Sequence, residues 1–515
     1  MAVVNAVQAN KKNVGDPNAA YESLRDLWIK CRAVCSGERF VKDLDSIVDT
    51  YTFSNLLIPF STSMTQMQYN FYKAEAELPG ITAQFSKMLV GGLLRKQPSL
   101  ELPEEVPEEC YNWIMNEFGV DDCSLSAFLD EALWEEVQTN RSWIFVDYPE
   151  VPNVNELTKQ ELLEYCPYPI LVKAESIINW KVSNNIKGKP LLERVIVKGT
   201  EEDYSDEFHP EFFEVIYVHE LDKSGYYQIR VYKSNNPMSI VPTISGKRIE
   251  TNRSNTFVLD RTINNIKNNG KRLEYIPAWP LNGNIEPSEP ILMPIIDKEI
   301  SLYNKLSRRN HLLYGAATYT PIICSDMTDG DFNKIVNGGL GSWIHLEANG
   351  KADILKTPTE ALKDMESTIA NTIEEMSKLG IRMLTPETAQ SGVALEIRNA
   401  AQTAQLGTFN RKISNTLKQV IACMINWRYG LNLSYNDVKF SLSEDFNPVP
   451  LGADWLRLVT EWYDLGLIPR SIWLIILKAN DIIPPDYDDE DAQKEINNDE
   501  FIINKNKKLE EDMEK

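Results

Sequence analysis

Four groups of residues have the types that chemistry needs, and their spacing decides what each can do. Glu201, Glu202, Asp203, Asp206 and Glu207 crowd carboxylates together, enough to attract a cation. A calcium loop also needs regularly spaced acids and a glycine at its sharp turn; both are missing, so the cluster reads as a solvated loop. Cys31 and Cys35 lie four apart on a predicted helix, where two thiolates could share a metal. The four histidines (209, 219, 311 and 345) are all remote from them in sequence, and the pair reads as core packing. Gly338-Gly339-Leu340-Gly341 lacks both the G-x-G-x-x-G spacing and a following Lys-Ser/Thr, and reads as a turn. Finally, 75 acids beside 11 Trp and 21 Tyr could supply the carboxylate pair of a carbohydrate-active enzyme. Such a pair has no fixed spacing, so this reading stays open, although no nucleophile elbow, zinc motif or phosphate loop accompanies it.

Composition narrows the classes further. A chain of 515 residues has room for about three domains of roughly 150 residues. Apolar and charged contents of 43% and 25% are those of ordinary globular proteins. A net charge of −22 argues against a protein that grips nucleic acid through many phosphates, but not against a surface past which DNA slides. No apolar run approaches the roughly 20 residues that span a bilayer, and the N-terminus lacks a basic segment followed by an apolar one. The expectation is a protein that stays where it is made and has no membrane partner. Seven scattered cysteines without Cys-x-x-Cys suit a reducing cytosol rather than a disulfide framework. Nothing calls for a cofactor or a metal.

The elements that must position any site centre on 357–429. Thr357, Pro358 and Glu360 form a capping box that starts a helix, and Leu362, Met365, Ile369, Ile373, Met376 and Leu379 share one face of it. Gly380 is expected as its left-handed C-terminal cap, followed by a polar, Pro-containing loop over 381–391. A helix of about ten turns, roughly 50 Å, comes next. The first helix carries an excess of acids, while the second carries Arg398, Arg411, Lys412, Lys418 and Arg428 against Glu396. Opposite signs suit packing against each other or against a neighbouring copy. Ala394, Ala400, Ala401, Ala404 and Gly407 let another backbone approach closely, within one domain or between copies.

Upstream, helices are expected from Asp16 to Gly37 and over 61–90, 107–118 and 124–138. A largely antiparallel sheet fills 142–280, with strands at 192–197, 213–221 and 226–232, a hairpin turn at Asp222-Lys223-Ser224-Gly225, and loops at 187–190 and 201–206. A helix over 288–314 puts Ile295, Glu299, Leu302, Leu306, Arg309 and Leu313 on one line and pairs with the helix after 357. Between them sits a small α/β insert, ending in a hairpin that turns at Asn349-Gly350 and presents Trp343, His345 and Glu347 on one face. After 429 come a strand near 438–442 and helices at 452–465 and 470–479. The segment 486–515 has twelve acids against five Lys, net −7, and reads as a solvated tail.

Four segments sit within this order: Lys87–Pro98 (KMLVGGLLRKQP), Trp143–Pro149 (WIFVDYP), Ile276–Pro280 (IPAWP) and Ser391–Ile397 (SGVALEI). Together with the order of elements they resemble the portal, or head-to-tail connector, proteins of tailed bacteriophages. The resemblance implies an α+β, mainly helical portal fold assembled as a ring, usually of twelve copies. Residues 1–287 would be the wing, helical at first and then an antiparallel sheet. The stem would be helices at 288–315 and 357–380, with the clip at 316–356 between them. The tunnel loop would be 381–391, the long wing/crown helix 392–429, and a small crown with its acidic tail 430–515.

The same resemblance implies a portal ring at a single capsid vertex of the virion, built from protein made in the host cytoplasm. Double-stranded DNA would be packaged through it by the terminase and later ejected into the tail. Its partners would be further copies of itself, the terminase large subunit, head-to-tail adaptor or tail proteins, the major capsid protein, and DNA in passing contact. Arg382, Thr385, Glu387, Thr388, Gln390 and Ser391 would face DNA. Trp343, His345, Glu347 and Asn349 would dock partners at the clip, and Ala400, Ala401 and Ala404 would pack between subunits. No catalytic residue is implied. The competing classes are the carbohydrate-active enzyme above and a monomeric virion adaptor or scaffold.

Overall fold

The computed structural model describes residues 13–483 except 47–55, 60, 121–122, 150–164, 185–189, 206–207, 244–245, 251–255, 265, 269–270, 318–319, 325–327, 329, 331–350, 356–359, 385–391, 444–452 and 480–481. The fold is α+β and forms two compact units, residues 1–444 and 445–515.

The first unit opens with helices α1 (Ala19–Ser36), α2 (Glu38–Ser46), α3 (Gln66–Glu75), α4 (Ile81–Leu93), α5 (Glu109–Asn116) and α6 (Leu125–Thr139). Asn18 caps α1, its side chain accepting from the Ala20 amide, and α1 ends at Gly37 as its sequence predicts. The expected helix over 61–90 is two helices, α3 and α4. The second runs through Gly91 and Gly92 to Leu93, because these glycines sit among good helix formers and cost only about 1 kcal/mol each. Trp28, Cys31, Val34 and Cys35 of α1 and Leu125, Leu129 and Leu133 of α6 are buried. Arg32 ties the bundle to the sheet: its Nε and one Nη reach the two Glu175 carboxylate oxygens at 2.9 Å, and its other Nη reaches Glu135 at 2.8 Å.

Strand β1 (Ser99–Glu101) is followed, after α5 and α6, by β2 (Ser142–Asp147) and β3 (Tyr168–Lys173). Then come β4 (Ile177–Asn184), β5 (Pro190–Asp203), β6 (Glu211–Leu221) and β7 (Tyr227–Pro237), the hairpin β8 (Ser239–Thr243) and β9 (Gly246–Glu250), and β10 (Phe257–Ile263). A two-residue ribbon, β11 (Lys267–Asn268) with β12 (Lys271–Arg272), precedes β13 (Ala278–Pro280). One antiparallel sheet has the order β10-β7-β6-β5-β4, and a second has β13-β2-β3. The β6–β7 hairpin turns where expected. Asp222 Oδ1 accepts from the Ser224 and Tyr226 amides, and Gly225 takes φ +82°, a conformation that side chains resist. Glu201, Glu202 and Asp203 are not in a loop: β5 continues through them, paired with Phe213, Phe212 and Glu211. Cross-strand partners there hold the acids in the ladder.

After the sheets come helix α7 (Met293–Ala317), strands β14 (Thr320–Cys324) and β15 (Lys351–Leu355), helix α8 (Glu360–Leu384) and the 38-residue helix α9 (Gly392–Tyr429). From Ile413 onward α9 is a core element: Ile413, Leu417, Val420, Ile421, Met424 and Ile425 are fully buried. Strand β16 (Lys439–Ser441) returns to pair with β1, Leu100 opposite Phe440.

The described part of the second unit contains a helical hairpin of α10 (Ala453–Asp464) and α11 (Arg470–Ala479). Tyr463 stacks on Trp473 with ring centres 4.9 Å apart.

Candidate functional site

The stretch singled out by the sequence is α7, the insert, α8 and the start of α9. Helices α7 and α8 run antiparallel, as the pairs between them show. Lys298 joins Glu375, the Lys305 ammonium donates to Thr372 Oγ1 at 2.7 Å, and Arg309 reaches Glu366 at 3.1 Å. Exposed pairs contribute only about 0.2–1 kcal/mol each. Cohesion comes from the buried line between them, with Leu302 and Tyr303 on α7 and Ile369, Thr372 and Met376 on α8. The acids of α8 thus meet cations of α7. The remaining faces of α8 are open, with Asp364, Thr368, Asn371, Ile373 and Glu374 exposed.

The base of α7 is fixed by polar side chains. Glu299 is fully buried, and its two oxygens accept from the Ile81 and Thr82 amides at 2.9 and 2.6 Å. Those amides open α4, whose N-cap Gly80 has no side chain to offer, so a carboxylate from another helix supplies the cap and meets the positive end of the helix dipole. Asn304 accepts from the Ile58 amide at 2.6 Å and donates to the Leu56 carbonyl at 2.7 Å, and Lys30 pairs with Asp297 at 2.6 Å. Towards the insert α7 becomes solvent-facing, with Leu313 and Tyr314 exposed. Glu299 left a visible signal in the sequence, the one acid on the line of Ile295, Leu302, Leu306, Arg309 and Leu313; its target on α4 left none.

A second cluster fixes the chain just before α7. Between α6 and β2, Asn140 takes a left-handed conformation, φ 52°. Asn282 donates to the Asn140 carbonyl at 2.9 Å, the Asn140 amide donates to Ser288 Oγ at 2.8 Å, and Arg141 donates to the Ile285 carbonyl at 2.9 Å. The Arg141 guanidinium lies 4.4 Å from the Trp180 ring centre, with Trp28 and Trp143 each within 6 Å. Burial lowers its pKa to about 10, against the pull of Glu286 and Glu136. Glu136, also buried, accepts from the Ser142 amide and hydroxyl at 2.8 and 2.6 Å; burial still raises its pKa to about 7.

At its far end α8 departs from the sequence expectation. Gly380 does not cap it, since the helix continues through Ile381, Arg382 and Met383 to Leu384. Arg, Met and Leu are strong helix formers, and the stop comes from Pro386, which disfavours helical backbone at Thr385. Arg382 is therefore a residue of the last helical turn rather than of a loop, where a cation suits the helix dipole. Thr385, Glu387, Thr388, Gln390 and Ser391 lie outside the described residues. So do Trp343, His345, Glu347 and Asn349, as well as the side chains of Ala400, Ala401 and Ala404, whose backbone is part of α9. The described part of the insert is a five-residue ladder of β14 against β15, Thr320 opposite Leu355 and Cys324 opposite Lys351.

The described members of the enzyme-like groups have structural partners, while Asp206, Glu207 and Gly338-Gly339-Leu340-Gly341 lie outside the described residues. Glu201 accepts from the Tyr217 hydroxyl at 2.9 Å and from Arg261 at 2.6 Å, which holds its carboxyl below the usual range. Cys31 and Cys35 are buried against Met293 and Ser86; burial pushes both thiols up, Cys35 to about 11. Among the described residues no group of three His, Cys, Asp or Glu side chains is placed to hold a metal, and no helix is long and apolar enough to cross a membrane. A cavity of about 560 Å³ lies between Trp143, Tyr275, Trp279, Gln419, Cys423 and Asn426. Among the described residues its lining has no carboxylate, imidazole or cationic side chain and so no acid pair of the glycosidase kind, and the Cys423 thiol is pushed up to about 12 by burial.

A family model described as a domain of unknown function (DUF4055) matches residues 292–428, which is α7, the insert, α8 and α9 almost to its end. No curated protein matches the chain. Among solved structures, a chain of the "Virion of native gene transfer agent (GTA) particle" is similar at 9% identity with a TM-score of 0.38, the match covering 77% of this chain and 89% of that one. Likeness at that level leaves function to be argued from the residues.

Proposed function

We propose that this chain is a portal subunit of a tailed phage-like particle. Copies assemble as a ring at one capsid vertex, and double-stranded DNA passes through the ring during packaging and ejection. The observation that carries the reading is α7 and α8, an ion-paired antiparallel stalk rooted at one end in the helical and sheet body and joined at the other through a strand-paired insert. It lies in the order that the resemblance requires, body, helix, insert, helix, then a helix of 38 residues. In this reading the open faces of α8 meet neighbouring copies or the channel, the insert docks the terminase or an adaptor, and 385–391 loosely contact passing DNA. The net charge of −22 per copy fits that role, because multi-phosphate binding would hold the genome and make release slow. The test is size-exclusion chromatography with negative-stain imaging. Rings of several hundred kilodaltons are the expected result, and a well-behaved monomer of 58.8 kDa would overturn the reading.

A further inference from the structure

The cavity beside α9 has a lining that packing alone does not explain. Thr416, Gln419, Cys423 and Asn426 recur in steps of three and four, so they share one face of α9, and all four line the cavity. Between them Leu417, Val420, Ile421, Met424 and Ile425 are apolar and buried, which leaves an uncharged, mostly polar stripe on a core helix. Two of the stripe's side chains are held by the fold. Thr416 Oγ1 donates to the Pro280 carbonyl at 3.1 Å, and the Asn426 amide donates to the Leu433 carbonyl and accepts from the Leu433 amide, at 2.9 and 2.7 Å. Gln419 is not held. Its nitrogen meets the Asn415 carbonyl of its own helix at 3.4 Å, a long contact, and its oxygen has no donor among the described residues. On the sheet side the Trp143 indole N–H is buried and without a partner among the described residues. Aromatic rings complete the lining. Tyr275 and Trp279 have ring centres 6.3 Å apart, and Tyr435 joins them from the loop after α9.

These features select an occupant. The volume, about 560 Å³, is that of a small-molecule site. A charged ligand would lose its hydration without meeting an opposite charge, since the described lining carries none. An extended peptide would need open backbone groups on β13, the edge strand of its sheet. Those groups are missing or taken. Pro277 and Pro280 have no amide, the Ala278 amide donates to the Ile276 carbonyl at 2.8 Å, and the Pro280 carbonyl is held by Thr416. A wholly apolar molecule would leave the Gln419 oxygen and the Trp143 N–H unpaired. An uncharged molecule with an apolar C–H face and hydroxyls that both donate and accept meets every demand, and a pyranose sugar is such a molecule. We infer that this cavity binds a neutral saccharide, with the C–H face of one ring on Trp279 and hydroxyls on Gln419. With no carboxylate pair in the described lining, the sugar is held rather than cleaved. The inference goes beyond the ring reading and does not rest on it.

The experiment uses the full chain. Maltotriose, cellotriose, mannotriose and chitotriose are titrated in turn, with uridine as an uncharged planar control, and binding is read by saturation-transfer NMR and calorimetry. At least one trisaccharide should bind saturably, and uridine should not. Gln419→Ala should weaken that binding by at least about tenfold, with far-UV circular dichroism and the thermal midpoint unchanged, because alanine suits the helix and only one long contact is lost. Trp279→Ala should weaken it as much, and Trp279→Phe, which keeps an aromatic face, should restore part of the loss. Failure of all four sugars to bind, equal binding of uridine, or affinity unaltered in Gln419→Ala would each overturn the inference. None of these outcomes bears on the ring, whose size is read separately by chromatography and imaging.

Discussion

His219 is buried in the sheet with Nδ1 2.7 Å from the Tyr227 hydroxyl and its ring 4.9 Å from that of Phe145. Burial lowers its pKa from the ordinary 6.5 to about 3. Between those values the unfolded chain takes up a proton that the native chain refuses, so this group's contribution to stability is complete above 6.5 and is lost as pH falls. Glu136 works the other way. Its pKa rises from 4.5 to about 7, so the native carboxyl keeps a proton that the unfolded chain releases, and stability falls as pH rises through that window. The two slopes offset each other between about 4.5 and 6.5. Urea midpoints measured across this range should therefore steepen with opposite signs in two variants. Glu136→Gln exposes the histidine slope, with stability rising with pH, and His219→Gln exposes the carboxyl slope, with stability falling with pH. A parallel change in both variants would refute the assignment.

At the scale of elements, the continuation of α8 through Gly380 has a direct consequence. Gly380→Ala should stabilise the protein by up to about 1 kcal/mol, because alanine loses less backbone entropy in a helix. A left-handed cap at Gly380 would instead make the same change destabilising, and thermal unfolding separates the two. Along the stalk, Met376→Ala should cost about 2–5 kcal/mol as a buried truncation, whereas Glu375→Ala should cost less than about 1 kcal/mol as an exposed partner of Lys298. The elements legible in the sequence were those with local causes. The β6–β7 hairpin announces itself because Asp222 and Gly225 build the turn from within it. Strand β4 was missed because Ile177-Ile178-Asn179-Trp180-Lys181 breaks alternation, and β10 because it lies at a sheet edge with its middle residues exposed. The surroundings of Arg141 had no local signal either, since Trp28, Trp143 and Trp180 come from three separate elements. Of the candidate site, the order of helices was readable, but the end of α8 was not. Gly380 has the look of a stop, but the helix formers after it carry α8 on to Leu384.

For the whole molecule, the proposed portal role predicts that replacing Thr385 to Gln390 by a Gly-Ser linker leaves oligomer size unchanged and impairs DNA packaging or retention; particles with full genomes would sink the proposed contact with DNA. The capping of α4 by Glu299 also bears on the molecule as a mechanical object. A helix advances 1.5 Å per residue, so a slip of α7 by a single residue would pull the carboxylate off both amides at once. Glu299→Ala should leave these amides without a partner and speed their hydrogen exchange, while Glu299→Gln, which keeps an acceptor, should do so less. A buried charge bonded to backbone gives way abruptly rather than gradually. The latch at the base of α7 is therefore all-or-none: an axial displacement of the helix meets the loss of two hydrogen bonds together rather than one after the other.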